Sequence, residues 1–158
     1  MSFFISILIL VYMLFYIWKN EKYKNINVDE LSQIKIISLK NGNSNLMSLK
    51  KSSLIIYFSL NCEYCINEIN SISLNVKNFN NVDILLVSSD SYENIVNFST
   101  KFNNRKLNFI YDYSGEVKNI LGVKNYPSIY IFSRNMKLVK FFKGETPINK
   151  ILSEIPNE

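Results

Sequence analysis

Leu54-Ile55-Ile56-Tyr57-Phe58 is an unbroken apolar run of β-branched and aromatic side chains, and after only three more residues comes Cys62-Glu63-Tyr64-Cys65. A short run of this kind is the pattern of a strand buried on both faces. Beyond the cysteines, Ile66, Ile69, Ile72 or Ser73, and Val76 recur at helical spacing, so the dithiol falls at the N-terminus of a helix. That placement has chemical content. A thiol attacks a disulfide only as the thiolate, and the aligned N–H dipoles at a helix start favour the anion. Cys62 is therefore placed as the nucleophile. Cys65, one turn on, is placed to attack the resulting mixed disulfide and release the reduced partner.

These are the chain's only two cysteines, so no framework of crosslinks replaces a hydrophobic core. The chain has 158 residues, 47% hydrophobic and 14% aromatic, which is enough for one core and too short for two. Three segments are expected: residues 1–22 as an N-terminal anchor and flank, 23–32 as a polar tether without apolar periodicity, and 33–158 as the folded domain. Ile34, Ile36, Ile37 and Leu39 read as a first strand, Asn41 to Asn45 as a turn, and Leu46 to Leu49 as a returning strand. Val82–Val87 repeats the buried-strand pattern. Tyr92–Phe102 reads as a helix and Phe109–Tyr111 as a short strand, which makes a β-α-β unit. Ser114 is expected to cap a helix that Gly122 ends. Ser128–Phe132 and Leu138–Phe142 form a hairpin about Arg134-Asn135, and Thr146 with Pro147 starts a final helix as its N-cap and first position.

Phe3 to Trp18 is apolar but for one serine and ends beside Lys19, Lys22 and Lys24. It approaches the length of a membrane-spanning helix, with interfacial aromatics and snorkelling lysines to close the gap. A cleaved signal peptide lacks its small-x-small site here, and a buried core helix rarely stays apolar on every face. A retained transmembrane anchor is the expectation. The three lysines after it, with none before, place the rest of the chain in the cytoplasm if the positive-inside rule is taken alone.

The formal charge of +5 comes from lysines scattered along the sequence with no arginine cluster and no basic stripe, so nucleic-acid binding is not expected. With no histidine in the chain, two thiolates fall short of a closed four-ligand zinc site, and no metal is expected.

Three stretches in order, LIIYFSLNCEYCINEI, VDILLVSSDS and GVKNYPSIYIFSRNMKLVKFFKG, make the chain from about Gln33 to Ile155 resemble the thioredoxin superfamily, in particular membrane-tethered TlpA/ResA-type redoxins. The resemblance implies an α/β thioredoxin-like fold with a central mixed sheet flanked by helices, following one N-terminal transmembrane helix. It implies a protein disulfide oxidoreductase that needs no cofactor beyond the Cys62-Cys65 dithiol. Its partners would be protein thiols and disulfides, together with a transmembrane electron donor. It implies that Pro127 is cis and lies against the dithiol, and that the backbone of Tyr126 pairs with an extended substrate peptide. A trans proline in an ordinary turn is the alternative at that position.

Glu68, three residues after Cys65, matches an acidic position these proteins share. Two readings stay open for it: a carboxylate that moves protons during exchange, or a solvated residue on the first turns of a helix. Where thioredoxins proper often carry a buried Asp, six residues before the first cysteine, this chain has Ile56. Asn61 stands where Trp is common and Tyr64 where Pro is frequent, which bears on redox potential and partner choice. Such tethered relatives work outside the cytoplasm, so the resemblance places the domain in the cell envelope on the extracytoplasmic, periplasmic side, against the charge rule. Two rivals share the fold. A peroxiredoxin-like peroxidase would use Ser59 and one of the two arginines, Arg105 or Arg134, but lacks that family's upstream proline. The other rival is a non-catalytic, membrane-tethered binding module.

Overall fold

The computed structural model describes residues 2–21, 26, 28–46, 51–102 and 104–157, with the side chains of the first helix described from residue 6 to 15. That helix, α1, spans Ser2–Glu21. Its described side chains, Ile7 to Phe15 among them, are exposed. They cover about 15 Å of helix, half the thickness of a bilayer's hydrocarbon core. Among the described residues no helix is long and apolar enough to cross a membrane. The apolar run at its ends, Phe3–Ile5 and Tyr16–Trp18, lies outside the described side chains, as do Lys22 and Lys24.

The domain follows as α2 (Val28–Gln33), β1 (Lys35–Ser38), β2 (Gly42–Asn45), β3 (Ser52–Tyr57), α3 (Glu63–Leu74), β4 (Val82–Ser88), α4 (Tyr92–Ser99), β5 (Leu107–Tyr111), α5 (Glu116–Ile120), β6 (Ser128–Phe132), β7 (Leu138–Lys143) and α6 (Ile148–Leu152). One sheet contains all seven strands in the order β2-β1-β5-β4-β3-β6-β7. The central β3 and β4 are parallel, as are β4 and β5, while β6 and β7 add antiparallel on one side and β1 and β2 on the other. This is the mixed sheet that the resemblance implies.

Every residue of β3 is buried. Strand alternation sends Leu54 and Ile56 to one face, against Ile69 and Ile72 of α3, Ile95 and Phe98 of α4 and Ile151 of α6. Ile55 and Tyr57 go to the other face, with Leu31 of α2 and Val117 of α5. At roughly 1.5–3 kcal/mol per fully buried large apolar side chain, this strand is a strong anchor of the sheet.

Several boundaries differ from the sequence reading for identifiable reasons. Part of the expected tether is α2, because Leu31 is an apolar side chain fully buried in the core; packed chain thus precedes Gln33, while residues 22–25 and 27 lie outside the described residues. The expected turn at 41–45 is mostly strand: Gly42 adopts a left-handed φ of 66° and β2 begins there, pairing Gly42 with Ser38 and Asn45 with Lys35. Polar residues are suited to this edge strand, which leaves most of its side chains to solvent. Of the expected return strand, Leu46 is buried and 47–49 lie outside the described residues. Helix α5 takes its N-terminal bonds from Asp112, whose carboxylate accepts from Val117 N–H at 3.3 Å and Lys118 N–H at 3.1 Å. Ser114 only receives a 3.4 Å bond from Glu116. Helix α6 has Pro147 as its N-cap, and Thr146 is committed elsewhere.

Candidate redox site

The strand order delivers three loops to one end of the sheet. Tyr57, the last residue of β3, pairs with Val87 on β4 and with Ser128 on β6. The chain leaving β3 toward Cys62, the chain leaving β4 toward Asp90, and Pro127 entering β6 therefore meet there. Cys62 and Cys65 form a disulfide across a Cα–Cα distance of 5.2 Å. Cys62 is the N-cap of α3: its backbone is extended, and its Sγ accepts the N–H of Cys65 at 3.2 Å. A cap position wants an acceptor, and a thiolate is a stronger acceptor than a thiol, so the geometry favours the anion at this sulfur once the bond is reduced. Cys62 is half-buried, whereas Cys65 is fully buried. Glu63 and Tyr64 between them face solvent.

Asp90 fixes the approach to Cys62. Its Oδ2 accepts from Leu60 N–H at 2.6 Å and from the Ser88 hydroxyl at 3.0 Å, tying the 59–61 loop to the end of β4. Asp90 was not singled out from sequence, although it lies in the VDILLVSSDS stretch. A carboxylate just past a buried strand was the available signal.

Glu68 is fully buried on the same face of α3 as Cys65, one turn along. That discards the solvated reading. Its Oε2 accepts the backbone N–H of Thr146 at 2.7 Å, and its Oε1 is buried with no hydrogen-bond partner. Burial is the main cause that pushes its pKa from the usual 4.5 up to about 7; the Thr146 bond opposes the shift and the Glu145 charge adds to it. A carboxyl that exchanges its proton near neutral pH thus stands within a helical turn of the buried sulfur.

The peptide bond between Tyr126 and Pro127 is cis. Pro127 is buried, and its carbonyl accepts from Gly144 N–H at 2.8 Å. Tyr126 is half-exposed, with its ring stacked on Tyr57 at 6.1 Å between centroids. Lys118 sits over the Tyr126 ring, 5.5 Å from its centroid, and its pKa is raised chiefly by a hydrogen bond to that tyrosine. The Tyr57 hydroxyl in turn donates to Asp112 at 2.9 Å. Burial, and behind it the Asp112 carboxylate, holds this phenol above its ordinary pKa. The chain Asp112, Tyr57, Tyr126, Lys118 sets the ring that precedes the cis bond; only Tyr126 was singled out from sequence, since the rest join across strands.

The residues a peroxidase would need are not gathered here. Ser59 is adjacent, its carbonyl accepting Cys62 N–H at 3.2 Å. Arg105, however, precedes β5, and Arg134 follows β6 beyond Phe132, which pairs with Ser53, so both arginines stand at the opposite end of the sheet. Among the described residues no three carboxylates or cysteines cluster as a metal site would require.

This combination of a mixed sheet, a cysteine pair at the start of α3 and a cis-proline at the same end of the sheet defines a redoxin of thioredoxin-like fold. Residues 26–141 match the AhpC/TSA family, and the chain belongs to it. Known structures of similar fold include the exposed lipoprotein thioredoxin Etrx1 of Streptococcus pneumoniae strain TIGR4, at 20% identity and TM-score 0.65 over 77% of this chain and 98% of that one. The dsbF of MTB is similar at 16% identity and TM-score 0.70, over 79% of this chain and 94% of that one. PrxQ of Xylella fastidiosa is similar at 14% identity and TM-score 0.67, over 79% and 89%. No curated protein matches the chain in sequence.

The Glu68 shift has a consequence for stability. A carboxyl whose folded pKa of about 7 lies above its unfolded 4.5 is held more tightly as the acid in the folded state, so its contribution is greatest below pH 4.5 and is lost as pH rises through 7. The oxidised full chain in mild detergent should lose up to about 3 kcal/mol between pH 5 and 8 by urea denaturation from this group. Glu68→Gln should flatten that slope; an unchanged slope would show that Glu68 is not the titrating group.

Proposed function

We propose that the chain is a membrane-anchored thiol-disulfide oxidoreductase that exchanges disulfides with protein partners through Cys62 and Cys65. The observation that carries the reading is the pairing of a half-exposed Cys62 Sγ at the N-cap of α3 with a fully buried Cys65. In the reducing direction, the Cys62 thiolate attacks one sulfur of a partner disulfide, forming a mixed disulfide and releasing the partner's other sulfur as a thiolate that takes up a proton. Cys65 then loses its proton and attacks Cys62 Sγ. The partner leaves as a dithiol and the enzyme closes its own disulfide, two electrons having passed to the partner.

Glu68 is suited to accept the Cys65 proton, being a buried carboxylate one helical turn away with an unpartnered oxygen. Tyr126 and Pro127 lie at the same end of the sheet as the disulfide, where an extended partner peptide would pair with the Tyr126 backbone. The peroxidase reading shares the family but would have to work without either arginine near the thiol.

Anchoring rests on the apolar Phe3–Trp18 run, and an outward-facing domain on the need for a tether and on the exposed, lipoprotein character of the Streptococcus pneumoniae relative. With the domain outside the cytoplasm, electrons would come from a partner within the membrane. No cofactor is required beyond the dithiol itself.

Cys65→Ser should accumulate mixed disulfides with partner proteins, seen as thiol-sensitive adducts on non-reducing gels, and Cys62→Ser should not. The opposite pattern would exchange the two roles, and adducts with neither would remove the exchange reading.

The direction of exchange follows from charge. Glu63 sits beside the thiolate and no histidine is present to stabilise it, so the disulfide form is favoured and the enzyme donates electrons. The measured potential should lie nearer the roughly −270 mV of thioredoxin than the roughly −120 mV of DsbA; a value near the latter makes it an oxidant.

Orientation is read by fusing a reporter active on one side of the membrane to the C-terminus. Activity of an extracytoplasmic-only reporter is expected. Activity of a cytoplasm-only reporter would vindicate the lysines after the anchor and remove the need for a transmembrane electron donor.

A further inference from the structure

The lysines that look scattered in sequence are gathered by the fold. Because β3, β4 and β5 are parallel, the segments that enter them all lie at the end of the sheet away from the dithiol, together with the turns after β1 and β6. Each contributes exposed cations. Lys51 enters β3. Lys77, on the single 3-10 turn Val76–Asn78 after α3, precedes β4. Lys101, Arg105 and Lys106 lie between α4 and β5. Lys40, after β1, reaches the same place, since its Nζ donates to the Arg105 carbonyl. The β6–β7 turn adds Arg134 and Lys137.

Against these cations, the described residues of this end hold one carboxylate, Asp83, which Lys51 approaches at 4.0 Å. Glu154, further along near α6, is paired with Lys140 at 3.1 Å. The dithiol end has the other balance: exposed Glu30, Glu63, Glu93, Glu116 and Glu145 offset Lys35, Lys118, Lys124 and Lys143. Among the described residues the exposed cations are therefore concentrated at the far end, which is positive relative to the dithiol end. The basic face absent from the sequence reading exists in three dimensions.

We infer that this basic end is a docking surface for anionic phospholipid headgroups, which holds the domain against the bilayer and turns the dithiol toward solvent. The inference rests on the membrane-anchored reading above. Ile26 already packs on the domain, so only residues 22–25 separate it from the end of α1. That length of chain spans at most about 17 Å, so the domain is held close enough to the membrane surface for its charge to be felt. An anionic surface attracts clustered lysines and arginines within about a Debye length and repels the carboxylates of the dithiol end. A uniform lysine distribution would leave the orientation open; this one selects it.

Amine acetylation followed by mass spectrometry tests the surface, using the full chain reconstituted in vesicles of phosphatidylcholine alone or with phosphatidylglycerol. Under single-hit conditions Lys51, Lys77 and Lys106 should react at least about threefold more slowly on the anionic vesicles, and high salt should abolish the difference. Lys124 and Lys143 should react alike on both. Lys77→Glu with Lys106→Glu should remove the protection of Lys51 and leave disulfide exchange unchanged. Equal rates on both vesicles, with the chain still floating with neutral ones, overturn the surface and leave the anchor standing. Protection on anionic vesicles by a chain that does not float with neutral ones supports the surface and removes the anchor. Slowing by an added RNA oligomer but not by anionic vesicles assigns the cations to nucleic acid and overturns the inference.

Discussion

The site depends on the complete burial of β3. Six consecutive buried residues leave the strand one register on each side, parallel to β4 and antiparallel to β6, because a shift of one position would send Leu54 and Ile56 to the face now filled by Ile55 and Tyr57. Once that register is set, Tyr57 stands opposite both Val87 and Ser128. The chains carrying Cys62, Asp90 and Pro127 are then delivered side by side, without any of the three needing affinity for another.

Around that delivery point the fold places three carboxylates in different circumstances. Asp90 and Asp112 accept several N–H or O–H bonds each and act as fasteners, one for the loop before Cys62 and one for the start of α5 and the Tyr57 hydroxyl. Glu68 has a single bond, from Thr146, and a second oxygen buried with nothing to accept from. Burial without full compensation raises a carboxyl's pKa. Glu68, its pKa raised chiefly by burial, is therefore a carboxyl able to trade a proton near neutral pH.

The AhpC/TSA fold serves both disulfide exchange and peroxide reduction, so fold does not choose between them. Side-chain placement is where the two readings differ. A peroxidatic thiol needs a cation to hold the peroxide, and both arginines of this chain are at the far end of the sheet with most of the exposed lysines. The cis-proline and the tyrosine stacked on Tyr57 lie at the same end of the sheet as the disulfide.

Much of the domain was legible from local pattern: the buried strands β3, β4 and β6, the helix after the dithiol, and the positions of Cys62 at its start and Cys65 a turn on. These follow from apolar periodicity and from helix-end electrostatics, which act over a few residues. Contacts across strands were not legible. Leu31 looked like part of a polar tether because its partners in the core are distant in sequence. Thr146 looked like a helix cap, yet its N–H goes to a glutamate 78 residues earlier. Glu68 could be read two ways until its burial was known, Tyr57 was read only as part of a buried strand, and Asp112 drew no notice at all. The +5 charge appeared diffuse because summing over sequence discards position, whereas three parallel strands entered from one end collect cations from separate loops into one face. Periodicity determined that the sulfurs stand at a helix start; which carboxylate is buried a turn from them, and where the charge lies, depended on tertiary packing, because both are set by neighbours that only the folded sheet brings together.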